Sequence, residues 1–151
     1  MSISALSVAK RLGELSDWSL SNLALQKISY IAHMIHLGRN GLSAPLITES
    51  FEAWNLGPVV PALYRRAKAF GSAPVKNVFH SVMSGGDDKQ DASIDEAYRI
   101  TKSMSPGKLV SITHWSDGAW AKNYSPHGRG HVIPNRDIYE EFTKRTHARS
   151  T

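Results

Sequence analysis

The chain has 151 residues, the size of one domain, which can bury roughly 70% of the surface exposed by its unfolded form. It contains no cysteine, which excludes disulfides, thiolate chemistry and cysteine-type zinc sites and points to a reducing cytoplasmic setting. Lysine plus arginine number 18 against 13 aspartate plus glutamate, a formal charge of +5 that favours acidic partners or nucleic acid. No stretch approaches the roughly 20 apolar residues of a membrane span, and the first residues lack the pattern of a signal peptide, so a soluble protein is expected.

Ala5, Val8, Ala9, Leu12 and Leu15 recur at helical spacing behind Ser4, whose hydroxyl can cap the first turn, and this predicts a first helix. After Ser16-Asp17, Ser19 or Ser21 starts a second helix that runs to about residue 37 and is closed by Gly38 and Gly41. Leu20, Leu23, Ala24, Ile28, Ile31, Ala32 and Ile35 cover well over half of its circumference, which marks this helix as central. Pro45 and Ile47-Thr48 lead into Phe51-Glu52-Ala53-Trp54, read as an extended or irregular connection ended by Gly57. Pro58 and Pro61 suit the first turn of a third helix, with Val60, Leu63, Tyr64, Ala67 and Phe70 as its stripe and Gly71 as its stop. Arg65, Arg66 and Lys68 lie mostly off that stripe.

Residues 75–82 alternate weakly, as a short strand or an ordered loop, and residues 84–91 form a polar segment expected to be mobile. Ser93 and Glu96 have capping-box spacing, which predicts a fourth helix through Ile94, Ala97, Tyr98 and Thr101 to Ser105-Pro106. Ser105 and Pro106 open a fifth, with Leu109, Ile112 and Thr113 inward. Asp117-Gly118 marks a turn before Trp120, residues 122–131 read as a loop, and Pro134 or Asn135 opens a last helix carrying Ile138, Tyr139 and Phe142. The predicted fold is mainly α: one compact domain over residues 1–143, of about six helices, with a small β-hairpin between helices three and four. Residues 144–151 are set apart as a basic, disordered tail.

Chemistry-bearing motifs are scarce. His33 and His36 share a helix face, but zinc needs three or four ligands and no further ligand stands at a recognised spacing. His127 and His131 enclose Gly128 and Gly130, which disfavours a helix presenting both to one ion. No phosphate loop, nucleophile elbow or His-Glu-x-x-His motif is present, so no metal, cofactor or enzymatic activity is expected. The basic face of helix three invites a DNA-binding reading, yet the long connection before Pro58 does not match the 3–4 residue turn of a helix-turn-helix. Lys27 stands among Leu23, Tyr30, Ile31 and Met34, so its ammonium must snorkel or pair, with Glu52 or a backbone carbonyl as the expected lock.

The order Leu25-Gln26-Lys27-Ile28-Ser29-Tyr30, then Ala53-Trp54-Asn55-Leu56-Gly57-Pro58-Val59-Val60-Pro61 and Tyr64, resembles the Panacea domain family. The likeness continues in Leu109, Thr113-His114 and Trp120 and in the closing helix from Ile138 to Phe142. These proteins are antitoxins of bacterial and phage toxin–antitoxin pairs, including SocA-like proteins. The resemblance implies neutralisation of a cognate protein toxin by direct contact, with delivery of the toxin to a protease in some relatives. It makes Gln26, Lys27, Tyr30, Ala53, Trp54, Gly57, Pro58, Val59, Tyr64, His114 and Trp120 the motif residues, expected to define the fold and to hold helices two and three together. Because loops carry recognition, residues 84–91 and 122–131 are expected to contact the partner. Arg65, Arg66, Lys68, Asp87, Asp88, Lys122, His127 and Arg129 are the candidate partner-binding residues, and the first three also serve the alternative of a phage- or plasmid-associated DNA-binding regulator.

Overall fold

The computed structural model describes residues 1–128 and 130–150, the last three by their backbone alone. Its elements run α1 (Ala5–Leu15), α2 (Asn22–Asn40), β1 (Phe51–Trp54), β2 (Gly57–Val59), α3 (Pro61–Ala67) with a 3₁₀ turn (Lys68–Phe70), α4 (Asp88–Thr101), α5 (Pro106–Thr113), α6 (Ala119–Asn123), β3 (His131–Ile133) and α7 (Asn135–Ser150). The fold is mainly α with a small sheet.

Helix α2 is the axis of the molecule. Ser21 caps it through a bond from the Ala24 amide, and every residue from Ala24 to Leu37 is buried. It packs against α1, α3, α4, α5, α7 and β2. Gly38 does not close it: the helix continues to Asn40, and Gly41, with φ +94°, forms the C-cap. Gly38 instead makes room for α7, because a Cβ there would lie 2.0 Å from the ring of Phe142. Helix α1 is capped by Ser4 as predicted, with its apolar residues Ala5, Val8, Ala9 and Leu12 fully buried.

The sheet lies before α3, where the two-residue turn Asn55-Leu56 joins β1 to β2. Phe51 and Ala53 point into the core while Glu52 and Trp54 face the other way, the period-two pattern of a half-buried strand. Strand β3 adds to the free edge of β1 in antiparallel register, pairing Phe51 with Ile133, to give the order β2-β1-β3. This corrects the expected position of the hairpin between helices three and four. Residues 75–82 are an ordered loop there: Val75 and Phe79 are buried singly, the Val75 amide bonds to the Leu20 carbonyl, and Phe79 stacks on Trp18. The predicted loop over residues 122–131 also gives way to α6 at its start and β3 at its end.

Helix α4 starts at Asp88, not after Ser93. Asp87 and Gln90 form the capping box, each side chain bonding the other's backbone amide. Ser93 is buried inside the helix and bonds His36. Residues 84–91 are tied down as well, through Gly85 to the Ser7 carbonyl and Gly86 to Asp91. Helix α5 keeps its Ser105 cap and Pro106 at the first position. Helix α7 extends through residues 144–150, which the sequence had set apart as a tail. Among the described residues, no helix is long and apolar enough to cross a membrane.

Candidate functional site

Helix α2 turns a row of polar side chains to the interior, of which Gln26, Lys27, Tyr30, His33 and His36 tie other elements to it, while the buried Ser29 hydroxyl has no hydrogen-bond partner among the described residues. Gln26 uses its amide as a substitute strand, accepting from the Val60 amide (2.9 Å) and donating to the Val60 carbonyl (3.5 Å). One turn position further, Lys27 donates to the Pro58 carbonyl (3.0 Å). Together they satisfy the outer edge of the β2 segment, where Pro58 has no amide to offer. The Lys27 lock therefore uses a backbone carbonyl and not Glu52. Burial pushes its ammonium down to about 8, since the site offers one acceptor and no carboxylate.

Gly57 sits directly over this lysine. Its φ of +119° suits glycine, and a Cβ there would be 3.0 Å from Lys27 Cε and 3.3 Å from Thr113 Oγ1. The corner is closed by aromatic rings. His114 stacks on Trp120 at 3.9 Å between centroids, and Trp120 stacks on Tyr124 at 4.7 Å. The Trp120 indole N–H donates to the Trp54 carbonyl (2.7 Å), the Tyr124 hydroxyl meets Asn55 Oδ1 (3.1 Å), and Trp54 packs edge-on against Tyr64. His114 is held below the ordinary imidazole range, by burial first and then by the Lys27 charge, with a hydrogen bond to the Asn55 backbone acting the other way. Its Nε2 is buried without a hydrogen-bond partner.

Two further anchors were not expected. Tyr30 donates to Glu141 Oε1 (2.7 Å), which also accepts from the Ala119 amide (2.9 Å), while Arg145 binds the other oxygen of this buried carboxylate (2.8 Å). Burial first and then the Glu141 charge raise the Tyr30 phenol well above its ordinary range. His33 accepts the Ile47 amide at Nδ1 (3.1 Å), so its Nε2 carries the proton and donates to Asn135 Oδ1 (2.8 Å). Burial is the main cause that lowers this imidazole to about 4. Both of its ring nitrogens are committed, His36 faces Ser93, and no group of three or more metal-capable side chains occurs among the described residues.

The motif residues Gln26, Lys27, Tyr30, Ala53, Trp54, Gly57, Pro58, Val59, Tyr64, His114 and Trp120 thus gather around one corner, where α2, the sheet, α3, α5 and α6 meet. The candidate partner-binding residues do not gather. Arg65, Arg66 and Lys68 are exposed at the end of α3, with Arg66 bonded to the Val78 carbonyl. Asp87 is occupied in the α4 cap and Asp88 is exposed beside it. Lys122 pairs with Asp137 (3.1 Å) and reaches Glu140 (3.9 Å); His127 is exposed, and Arg129 lies outside the described residues. The hairpin separates α2 from α3, which is not helix-turn-helix geometry.

On the solvent side of the corner an open cleft of about 720 Å³ is lined by Glu52, Trp54, Asn55, Tyr124, Pro126 and neighbouring glycines. The sequence concealed this cleft because its walls come from segments some 70 residues apart, joined by the Asn55–Tyr124 contact.

Residues 25–121 match the family model described as Antitoxin SocA-like, Panacea domain. The chain is also 35% identical, over 114 residues, to Antitoxin SocA of Caulobacter vibrioides (strain NA1000 / CB15N). That alignment covers 69% of this chain and 60% of the relative, so the chain spans about three fifths of the relative's length. No solved structure matches the chain significantly. With nearly two thirds of its length in the family model, and with the motif residues assembled into one corner, the chain belongs to the SocA-like Panacea domain family of antitoxins.

Proposed function

We propose that this protein is the antitoxin of a toxin–antitoxin pair and neutralises a cognate protein toxin by binding it directly, without catalysis. Membership of the antitoxin family is the observation that carries this reading. The geometry supports it, because the motif residues are committed to internal bonds that build a corner bearing an open cleft on its solvent side. Co-expression with each product of the adjacent genes tests the proposal. One of them should arrest growth alone, and this chain should restore growth and co-purify with it. Failure of both readouts for every neighbour rejects antitoxin function. A role as a protease adaptor is distinguished by repeating the rescue in protease-deficient cells, where an adaptor loses its effect and a direct neutraliser keeps it.

A further inference from the structure

We propose that the outer face of the three-stranded sheet is the docking surface for a partner segment that presents an arginine or lysine to Glu52, between Trp54 and Tyr124. The identity of the partner rests on the antitoxin reading; the chemistry of the cleft does not.

Register places Glu52 beside Val59 and Val132 on the face opposite the buried Phe51 and Ala53. This face is incompletely covered. Val132 is 53% exposed, and Leu56 at the hairpin tip is 56% exposed. Glu52 is the single carboxylate among the described residues that line the cleft, and none of the ion pairs among the described residues involves it. Its carboxylate is nevertheless held in place: Oε1 accepts the Trp54 indole N–H at 3.0 Å. Gly130 backs onto it with φ +53°, where a Cβ would lie 2.2 Å from that same oxygen. A carboxylate held by the Trp54 indole, with no cation beside it among the described residues and with two aromatic side chains flanking it, selects a cation, which gains an ion pair and a ring contact together. An acidic side chain gains neither and is repelled. The local sign is thus opposite to the net charge of +5, so the surface discriminates by contact and not by long-range attraction. The cleft volume of about 720 Å³ falls inside the roughly 300–1,000 Å³ range of ligand clefts, room for a short extended segment and not only one side chain.

The direct test is a titration of the whole protein with acetyl-Leu-Arg-Leu-amide, followed by the NMR signal of the Trp54 indole N–H. Peptides carrying citrulline or glutamate in place of arginine are the controls. The arginine peptide should move the signal saturably. Glu52→Gln, which keeps an acceptor for Trp54 but removes the charge, should weaken binding about tenfold. Gly130→Ala should weaken it too by displacing the carboxylate. Equal binding of the citrulline or glutamate peptide, absence of any shift, or a shift that depends only on protein concentration, as for a second copy of the chain, overturns the proposal. In the co-expression assay, failure of both rescue and co-purification for every neighbour rejects the antitoxin reading, while the peptide titration still decides the cleft. Wild-type binding with Glu52→Lys within about twofold of it rejects the cleft as the partner's docking surface.

Discussion

Replacing Lys27 with methionine should change not only stability but the way stability depends on pH. Lys27 is 1% exposed, and its ammonium has one acceptor in the Pro58 carbonyl and is lowered by burial from 10.5 to about 8. Between those values the unfolded chain holds more protons than the folded one, so wild-type stability rises with pH across that window and is reduced below it. At about 1.4 kcal/mol per pH unit the full difference is about 3 kcal/mol, of which about 2.5 kcal/mol falls between about pH 7 and pH 10. Lys27→Met removes the charge penalty but leaves the Pro58 carbonyl without its donor, a loss of about 1–2 kcal/mol. The variant should therefore exceed the wild type by about 1–2 kcal/mol at about pH 7 and fall below it by about pH 10. Urea unfolding followed by tryptophan fluorescence across this range measures the difference, and subtraction cancels the groups common to both proteins. A difference independent of pH would show that Lys27 titrates as an ordinary lysine and would refute the account of the corner.

The same logic applied to His33, lowered to about 4 by burial, makes stability fall as pH drops from about 6.5 to about 4 by about 3 kcal/mol; an NMR titration in which this imidazole protonates near 6.5 would contradict it. Gly38→Ala should cost about 1–3 kcal/mol because its methyl group enters the Phe142 ring, and adding Phe142→Leu should recover part of the loss in thermal unfolding. Asp87→Ala should cost about 1 kcal/mol by opening the α4 capping box, whereas Ser93→Ala acts through the lost bond to His36 and leaves the helix start unchanged in amide exchange.

The helices were legible because their signals are local. Ser4, Ser21 and Ser105 cap the helices that the apolar spacing indicates, and the unbroken burial of α2 follows from its wide apolar face. The Ser93–Glu96 spacing points to a start of α4 that is too late, because the Asp87–Gln90 box that does form lies in a polar stretch beside Gly85 and Gly86 that reads as a loop. The sheet was hidden for a different reason. Strand β3 is three residues long and exists by pairing with Phe51 to Ala53, nearly 80 positions away, a contact that no periodicity announces. The motif string from Ala53 to Pro61 identified the corner and the lock at Lys27, but its carbonyl partner depends on the path of the hairpin. In the sequence Glu52 reads only as a possible partner for Lys27; its place on the opposite face follows from strand register.

Direct neutralisation is the claim at the centre of this account, and calorimetric titration of the purified chain into its purified toxin, with no protease present, tests it most directly. Saturable binding that abolishes the toxin's activity in proportion to complex formed, and that weakens in Glu52→Gln, is the predicted result. A toxin that stays fully active with no measurable binding, although the chain protects cells from it, would contradict the account.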